Sequence, residues 1–292
     1  MLRPELEIHP VSATEAMHHE GVVAEIDAWV RAVIGQHHPL LERRICPFVP
    51  PALEQGKLSY AVARGCRSPA DVVVVMEELV ERFLKLPPLA GPKAQLKTLV
   101  AVFVDVEAAD AERVVIAAHR ELKDRCTGRG LMVGEFAPGY LLPSTRCPEL
   151  NVGEAPAPVL ALRYMLPSDR RFLLGADRWL AAWAARFGAD RVPLFRAFST
   201  AELAAVARAG RDVRVEAGQT LCRQGESGEE FFLILEGEVE IERDGEQVAR
   251  LGPGGFFGEL ALLTSRPRTA TVGAMTDTAL LVLDRRGYLA AR

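Results

Sequence analysis

The sequence predicts an α+β chain in two parts. An N-terminal α/β or α+β sandwich domain is expected over residues 1–190, followed by a C-terminal β jelly roll over residues 191–292. Three observations carry this. The chain has 292 residues, more than one typical core and about right for two. Before residue 190, strand and helix patterns alternate, as a layered sandwich requires. Beyond it come short apolar alternations with Gly218, Gly225, Gly228, Gly237, Gly245, Gly252, Gly254 and Gly255 at the corners, the pattern of a β-sandwich or jelly roll. Residues 188–193, Gly-Ala-Asp-Arg-Val-Pro, read as the joint, and no long Pro- or Ser-rich linker separates the halves.

Residues 19–35 carry Val22, Val23, Ile26, Trp29, Val30 and Val33 at helical spacing. A loop is expected from His37 to Pro51, then a strand over 58–63. Ser68 stands as N-cap and Pro69 at the first helical position, so the helix runs over 69–85. Residues 99–105 are a β-branched and apolar run, a buried strand. Helical spacing returns over 108–124, and strands are expected over 130–136 and 159–164. Residues 169–187, with Trp179, Trp183 and Phe187 at four-residue steps, predict an amphipathic helix with Ser168 or Asp169 as its N-cap. Ser199-Thr200-Ala201-Glu202 is a capping box, which starts a short helix reaching about residue 209. Strands are then expected near 212–216, 219–222, 231–235, 238–243, 247–251, 268–275 and 278–284.

The formal net charge of -4 gives no general basic face, so gripping DNA is not the expected task. No uninterrupted apolar run is long enough to cross a membrane, and none is expected to do so. Residues 1–7 are acidic and proline-broken, without the apolar stretch of a secretory signal. Cys46, Cys66, Cys126, Cys147 and Cys222 are odd in number and form no CxxC pair, which fits reduced thiols and a cytoplasmic location. The sequence has no GxGxxG, P-loop, HExxH or GxSxG motif.

The chemistry concentrates in Phe256-Phe257-Gly258-Glu259-Leu260-Ala261-Leu262-Leu263-Thr264-Ser265-Arg266-Pro267-Arg268-Thr269-Ala270-Thr271-Val272. Gly258 permits close backbone approach, and residues 259–263 suit one short helical turn whose leading N–H groups favour an anion. Arg268 follows a Pro-fixed corner, where a guanidinium can grip the same phosphate in two places. A carboxylate beside a phosphate is repelled by it, so Glu259 makes sense as an acceptor for sugar hydroxyls. The combination suggests a nucleotide with one phosphate and a free ribose hydroxyl.

With the upstream frame Ala217-Gly218-Gln219-Thr220-Leu221, Gly225-Glu226, Gly228 and Phe231 to Val239, this segment resembles the cyclic nucleotide-binding domain of protein kinase A regulatory subunits, the bacterial catabolite activator protein and cyclic-nucleotide-gated channels. The resemblance spans residues 195–290 and includes a Glu-to-Arg spacing of nine. It implies that Glu259 binds the ribose 2′-hydroxyl, that Arg268 binds the cyclic phosphate, and that the amides of Gly258, Glu259, Leu260 and Ala261 complete a cradle opened by Phe257. It also implies cAMP or cGMP as ligand. In the family, a threonine placed as Thr269 can hydrogen-bond the guanine amino group, and alanine there goes with cAMP preference, yet some cAMP-preferring members carry threonine; cAMP stays slightly ahead. Family members follow the barrel with two helices, the last capping the base, whereas residues 284–292 begin only one short helix. Another part of the chain, a missing tail, a second copy in a homodimer or a partner protein is expected to close the site, or binding is weak. A C-terminal helix-turn-helix is absent, which counts against a transcription factor of the catabolite-activator type.

In the first half, Cys46-Pro47-Phe48 follows His37-His38-Pro39 and Arg43-Arg44. Cys46 reads as a small buried hydrophobe at a turn, as a thiolate ligand for haem or another metal, or as a reactive thiol assisted by Arg43 and Arg44. The adjacent pairs His37-His38 and His18-His19 diverge in most backbones and read as surface turns, and His119 as a packed or solvated helix residue. Arg163 and Asp169-Arg170-Arg171 read as capping and surface pairing. The Trp179, Trp183 and Phe187 stripe reads as core or as an interface with the barrel. The layout resembles an uncharacterised bacterial domain family built around a Cys-Pro-Phe motif. Phe48 to Tyr60 and Leu96 to Phe103 are also similar to a family containing haem-dependent N-hydroxylases, although that family places its cysteine between a proline and a variable residue. The expected function is a cytoplasmic cyclic nucleotide sensor whose ligand regulates the N-terminal domain allosterically in signal transduction. The alternatives are a thiolate- or haem-dependent oxidoreductase controlled by the barrel, and a structural protein with an unliganded barrel.

Overall fold

The computed structural model describes residues 6–10, 21–189, 192–264 and 266–291. His18, His19, Asp190 and Arg191 of the expected joint, Ser265 and Arg292 lie outside the described residues. The chain forms two compact units that meet in sequence between Tyr164 and Met165.

The first unit is a three-layer sandwich around a mixed five-stranded sheet. Its strands are β1 (Leu6–Pro10), β4 (Leu58–Ala63), β5 (Thr98–Phe103), β6 (Leu131–Phe136) and β7 (Val159–Tyr164), in the order β1-β4-β5-β7-β6. Among these five strands only β4 and β5 pair in parallel, which the connecting helix α3 (Pro69–Lys85) makes possible. Side chains alternate across the sheet. Ala61, Ala63, Leu99, Ala101, Phe103, Leu131 and Val133 face α3 and α5 (Ala117–Gly128). Leu58, Tyr60, Val62, Val100, Val102 and Val159 face α1 (Gly21–Trp29) and α2 (Val49–Glu54). A two-residue hairpin pairs β2 (His37–His38) with β3 (Arg43–Arg44), and the short helix α4 (Pro92–Gln95) precedes β5.

Helix α3 begins where the sequence places it. The Ser68 side chain accepts from the Asp71 amide, and the Asp71 carboxylate accepts from the Ser68 amide at 2.9 Å. Amides of Arg67 and Ser68 hold the Asp71 carboxyl below the usual carboxylate range. The other end carries a feature the sequence reading missed. Lys97 is buried, and its ammonium donates to the carbonyls of Phe83 and Leu86 at 2.7 Å each while lying over the Phe83 ring. It thereby satisfies acceptors that the end of α3 leaves open.

Helical spacing over 108–124 resolves into a 3-10 turn at Ala108–Asp110, a π-helical turn at Glu112–Ile116 and then α5. Cys66 and Cys126 are buried on the α3–α5 side, and burial pushes both thiols up to about 11. Both stay protonated at neutral pH, so maleimide should label them only after unfolding, which mass spectrometry of native and denatured samples can check. The raised values favour the folded state below the ordinary thiol range near 9, and this advantage is lost as pH rises from 9 to 11.

The second unit begins earlier than residue 191. Met165 and Leu166 are buried, the Trp183 indole donates to the Pro167 carbonyl at 3.0 Å, and Arg170 bonds to Ala207. Contacts inside this unit, rather than any linker composition, therefore set the division. The expected helix over 169–187 is also broken. Residues Pro167–Leu173 form a 3-10 segment, because the buried Asp169 carboxylate accepts from the Leu166 amide at 2.7 Å, and α6 (Asp177–Ala184) starts only after Gly175. Trp183 and Phe187 are core and Trp179 is half-buried, so the stripe packs as core. Helix α7 (Thr200–Ala209) starts at the Ser199–Glu202 capping box as read.

Two four-stranded antiparallel sheets follow. One has the order β13-β10-β15-β8, from β13 (Phe256–Phe257), β10 (Glu230–Glu236), β15 (Thr278–Asp284) and β8 (Arg211–Val215). The other has the order β12-β11-β14-β9, from β12 (Glu246–Leu251), β11 (Val239–Arg243), β14 (Thr271–Ala274) and β9 (Thr220–Cys222). Phe232, Ile234, Val239, Phe257, Val272, Leu280 and Val282 fill the space between them, as a jelly roll requires. The helices α8 (Leu260–Leu263) and α9 (Arg285–Ala290) complete the unit.

Candidate ligand-binding site

The site starts from strand pairing. Phe232 on β10 lies opposite Phe257 on β13, and their rings stack with centroids 4.7 Å apart. This buries Phe257 and fixes where the chain leaves the sheet. Gly258 follows with φ +78°, a left-handed conformation that turns the backbone into α8. A Cβ there would stand 2.5 Å from Arg268 Nη1 and 2.6 Å from the Glu230 carbonyl oxygen. Glycine is thus what lets these three elements close on one another.

Arg268 is half-buried. Its Nη1 donates to the Glu230 carbonyl at 2.8 Å, and its guanidinium lies over the Phe232 ring, 5.5 Å from the centroid. A Cβ on Gly228 would come within 2.4–2.7 Å of the same guanidinium. The backbone of Arg268 is fixed as well. Its amide donates to Glu226 at 2.8 Å and its carbonyl accepts from Gly225 at 2.9 Å. These two bonds keep residue 268 out of the sheet, so the strand expected over 268–275 starts only at Thr271. The result is a guanidinium aimed by a carbonyl, a ring and two glycines, with further N–H groups left to donate.

Glu259 is half-buried at the N-cap of α8, and its side chain makes no capping bond. The first turn of such a helix leaves its leading amides, those of Leu260 and Ala261, without intrahelical acceptors. Leu262 is buried, whereas Leu260 and Leu263 are each 48% exposed. Thr269 is exposed, and its carbonyl accepts from Arg243 at 3.2 Å. Phe257, Gly258 and Arg268 are therefore brought together around Glu230 and Phe232, with Glu259, Leu260 and Ala261 continuing directly from them. Sequence reasoning missed the Glu230 carbonyl and the Phe232 ring as the supports of Arg268. It also missed Cys222, whose thiol burial pushes up while the Arg268 charge draws it down. A backbone carbonyl leaves no mark in a sequence; Gly228 and Gly258 were the legible signal.

Among its described residues, the first unit shows no comparable constellation. Cys46 is half-buried and packs against the α1–α2 core beside Ile45, which suits the small-hydrophobe reading and gives haem no support. His38 Nδ1 accepts from the Leu40 amide at 3.3 Å within the β2–β3 turn. His119 is buried, with Nε2 3.0 Å from both the Val133 carbonyl and the Glu135 carboxylate, so it is packed. Arg163 lies over the Phe48 ring and donates to the Tyr164 carbonyl at 2.9 Å. No group of three His, Cys, Asp or Glu side chains among the described residues could hold a metal. No described helix is long and apolar enough to cross a membrane.

Comparison with known proteins agrees with both halves. The family model for a cyclic nucleotide-binding domain matches residues 212–291. A cyclic nucleotide-gated potassium channel of Rhizobium etli is 46% identical over 92 residues, which cover 32% of this chain and 26% of the channel. One of Mesorhizobium japonicum is 45% identical over 97 residues, covering 33% and 27%. The chain thus spans about a quarter of the length of these curated relatives. A cyclic nucleotide-binding-like protein from Brucella abortus, at 24% identity and a TM-score of 0.35, covers 37% of this chain and 96% of its own. The model for the family described as a domain of unknown function, DUF6875, matches residues 23–196, more than half the chain and past the division at Tyr164. The chain therefore belongs to this DUF6875 family and carries a cyclic nucleotide-binding domain C-terminal to its family region.

Proposed function

We propose that the barrel binds a cyclic nucleoside monophosphate, cAMP ahead of cGMP, and that the protein is a cytoplasmic sensor whose ligand regulates the first unit. The observation that carries this reading is the support of Arg268 by the Glu230 carbonyl and the Phe232 ring, against the open backbones of Gly228 and Gly258. The fit to a phosphate is chemical. A guanidinium held by one N–H and one face keeps its remaining donors for a bidentate phosphate contact, and the two glycines leave room for that guanidinium against the backbone. The amides of Gly258 to Ala261 supply further donors. Glu259, uncommitted to a cap, accepts from the ribose 2′-hydroxyl. A Thr269 hydroxyl suits the guanine amino group and so admits cGMP. Ligand shifts the protein between two states only by its difference in affinity for them.

Replacing Glu259 by alanine is expected to weaken cAMP by about 10-fold, the worth of one charge-assisted hydrogen bond, while a 2′-deoxy analogue loses little. Calorimetric titration of both ligands into both proteins checks this, and equal loss for the two ligands refutes the ribose role.

A further inference from the structure

Arg170 carries an arrangement that nucleotide binding alone does not require. It is 7% exposed, in a segment that reads from sequence as surface charge. Its Nε donates to the Ala207 carbonyl at 2.6 Å, its Nη2 to the Gly210 carbonyl at 2.6 Å, and its Nη1 to the Asp212 carboxylate at 2.9 Å. Ala207 lies in the last turn of α7, Gly210 is its C-cap, and Asp212 is on β8. Burial lowers the guanidinium pKa and Asp212 opposes that shift. Removing a guanidinium from water is costly, and its pairing here offsets that cost. Such groups fix one geometry more than they add stability.

The position of this clamp gives the geometry a use. On one side, β8 pairs with β15 and β15 with β10, so that Asp212 lies opposite Leu281, and Leu281 opposite Leu233. A Cβ on Gly210 would stand 2.6 Å from the Leu281 side chain, so this junction has no slack. Strand β10 begins at Glu230, whose carbonyl holds Arg268 and whose carboxylate pairs with Arg211 beside Asp212. On the other side, Arg170 follows Tyr164, the end of β7, after five residues that include the buried Met165 and Leu166. Strand β7 is an interior strand of the first sheet. The same guanidinium is thus tied to the barrel by hydrogen bonds and to the first sheet by a short, internally bonded stretch of chain.

We infer that Arg170 is the positioning residue through which the state of the barrel reaches β7 of the first unit. The nucleotide reading supports one arm of its test and not the other. Hydrogen exchange of the β10 and β7 amides is followed in the full chain under two perturbations of the barrel, saturating cAMP and the core substitution Ile234→Ala. At about 100 times Kd, cAMP should slow exchange of amides that open with the barrel by about 100-fold, and Ile234→Ala should speed it. In the unmodified protein β7 should follow β10 in both cases, with a change of about 10-fold or more. In Arg170→Gln, and independently in Asp212→Asn, β10 should still respond while β7 does not, with cAMP affinity within about threefold of the unmodified protein. Asp212→Asn keeps the carbonyl bonds and serves if Arg170→Gln does not fold. A β7 that follows β10 in these variants, or that ignores both perturbations in the unmodified chain, overturns the inference. If cAMP does not bind, the sensor reading falls and the Ile234→Ala arm still decides the role of Arg170.

Discussion

Arg268→Ala is expected to weaken cAMP binding by on the order of 10²–10³-fold. Two charge-assisted hydrogen bonds to one phosphate are worth about 3–5 kcal/mol together, and each 1.4 kcal/mol is a factor of ten in affinity. The folded protein should tolerate the change. The internal hydrogen bond lost is the one from Nη1 to the Glu230 carbonyl, a contribution of about 1 kcal/mol. The melting temperature should therefore fall by only a few degrees. Arg268→Lys keeps a charge without the planar fork, so it should recover only part of the affinity. Calorimetry for affinity and a thermal melt for folding separate the two effects. A large fall in melting temperature with little change in affinity would place Arg268 in the fold rather than in the site.

Gly258→Ala is expected to damage both properties. At φ +78° an L-residue costs about 1–2 kcal/mol of backbone strain. Its methyl group must also find room 2.5 Å from Arg268 Nη1 and 2.6 Å from the Glu230 carbonyl. The carbonyl belongs to a core strand, so the guanidinium is what moves. Overpacking of this kind adds about 1–3 kcal/mol. The barrel should lose about 2–5 kcal/mol of stability in all, and affinity should fall by at least about 10-fold. Gly228→Ala is the informative partner. Its backbone is not left-handed, and the three atoms nearest its added Cβ all belong to the Arg268 side chain. It should reduce affinity while leaving the melt almost unchanged. Matching effects of the two substitutions on both affinity and melting temperature would contradict this account of how Arg268 is aimed.

Much of the fold was legible because local rules and tertiary structure agree. Ser68 and Pro69 announce α3, and Ser199 with Glu202 announces α7; both helices start there, α3 with a capping box completed by Asp71 that the sequence reading did not name. The strands at 58–63 and 159–164 were readable from apolar runs of the right length, and the barrel from its corner glycines. The proposed site was read from Gly258, Glu259 and Arg268, and the structure brings Gly258 and Arg268 together at the Glu230 carbonyl. What failed depended on contacts distant in sequence. Arg170 looks like a surface charge until α7 and β8 close around it. Helical spacing over 169–187 did not reveal that Asp169 ties back to Leu166 and tightens the first turns into a 3-10 segment. Nothing in the sequence marks Lys97, yet it closes the end of a helix that finishes a dozen residues earlier. The support of Arg268 by a carbonyl of β10 has no residue-type signature at all.

The central claim is that the barrel is a ligand site organised by Arg268. Calorimetric titration of the full chain with cAMP and with cGMP, beside Arg268→Ala, tests it most directly. The account predicts saturable micromolar binding in the unmodified protein, tighter for cAMP, and its loss in the variant. No binding of either nucleotide, or binding unchanged by Arg268→Ala, would contradict it.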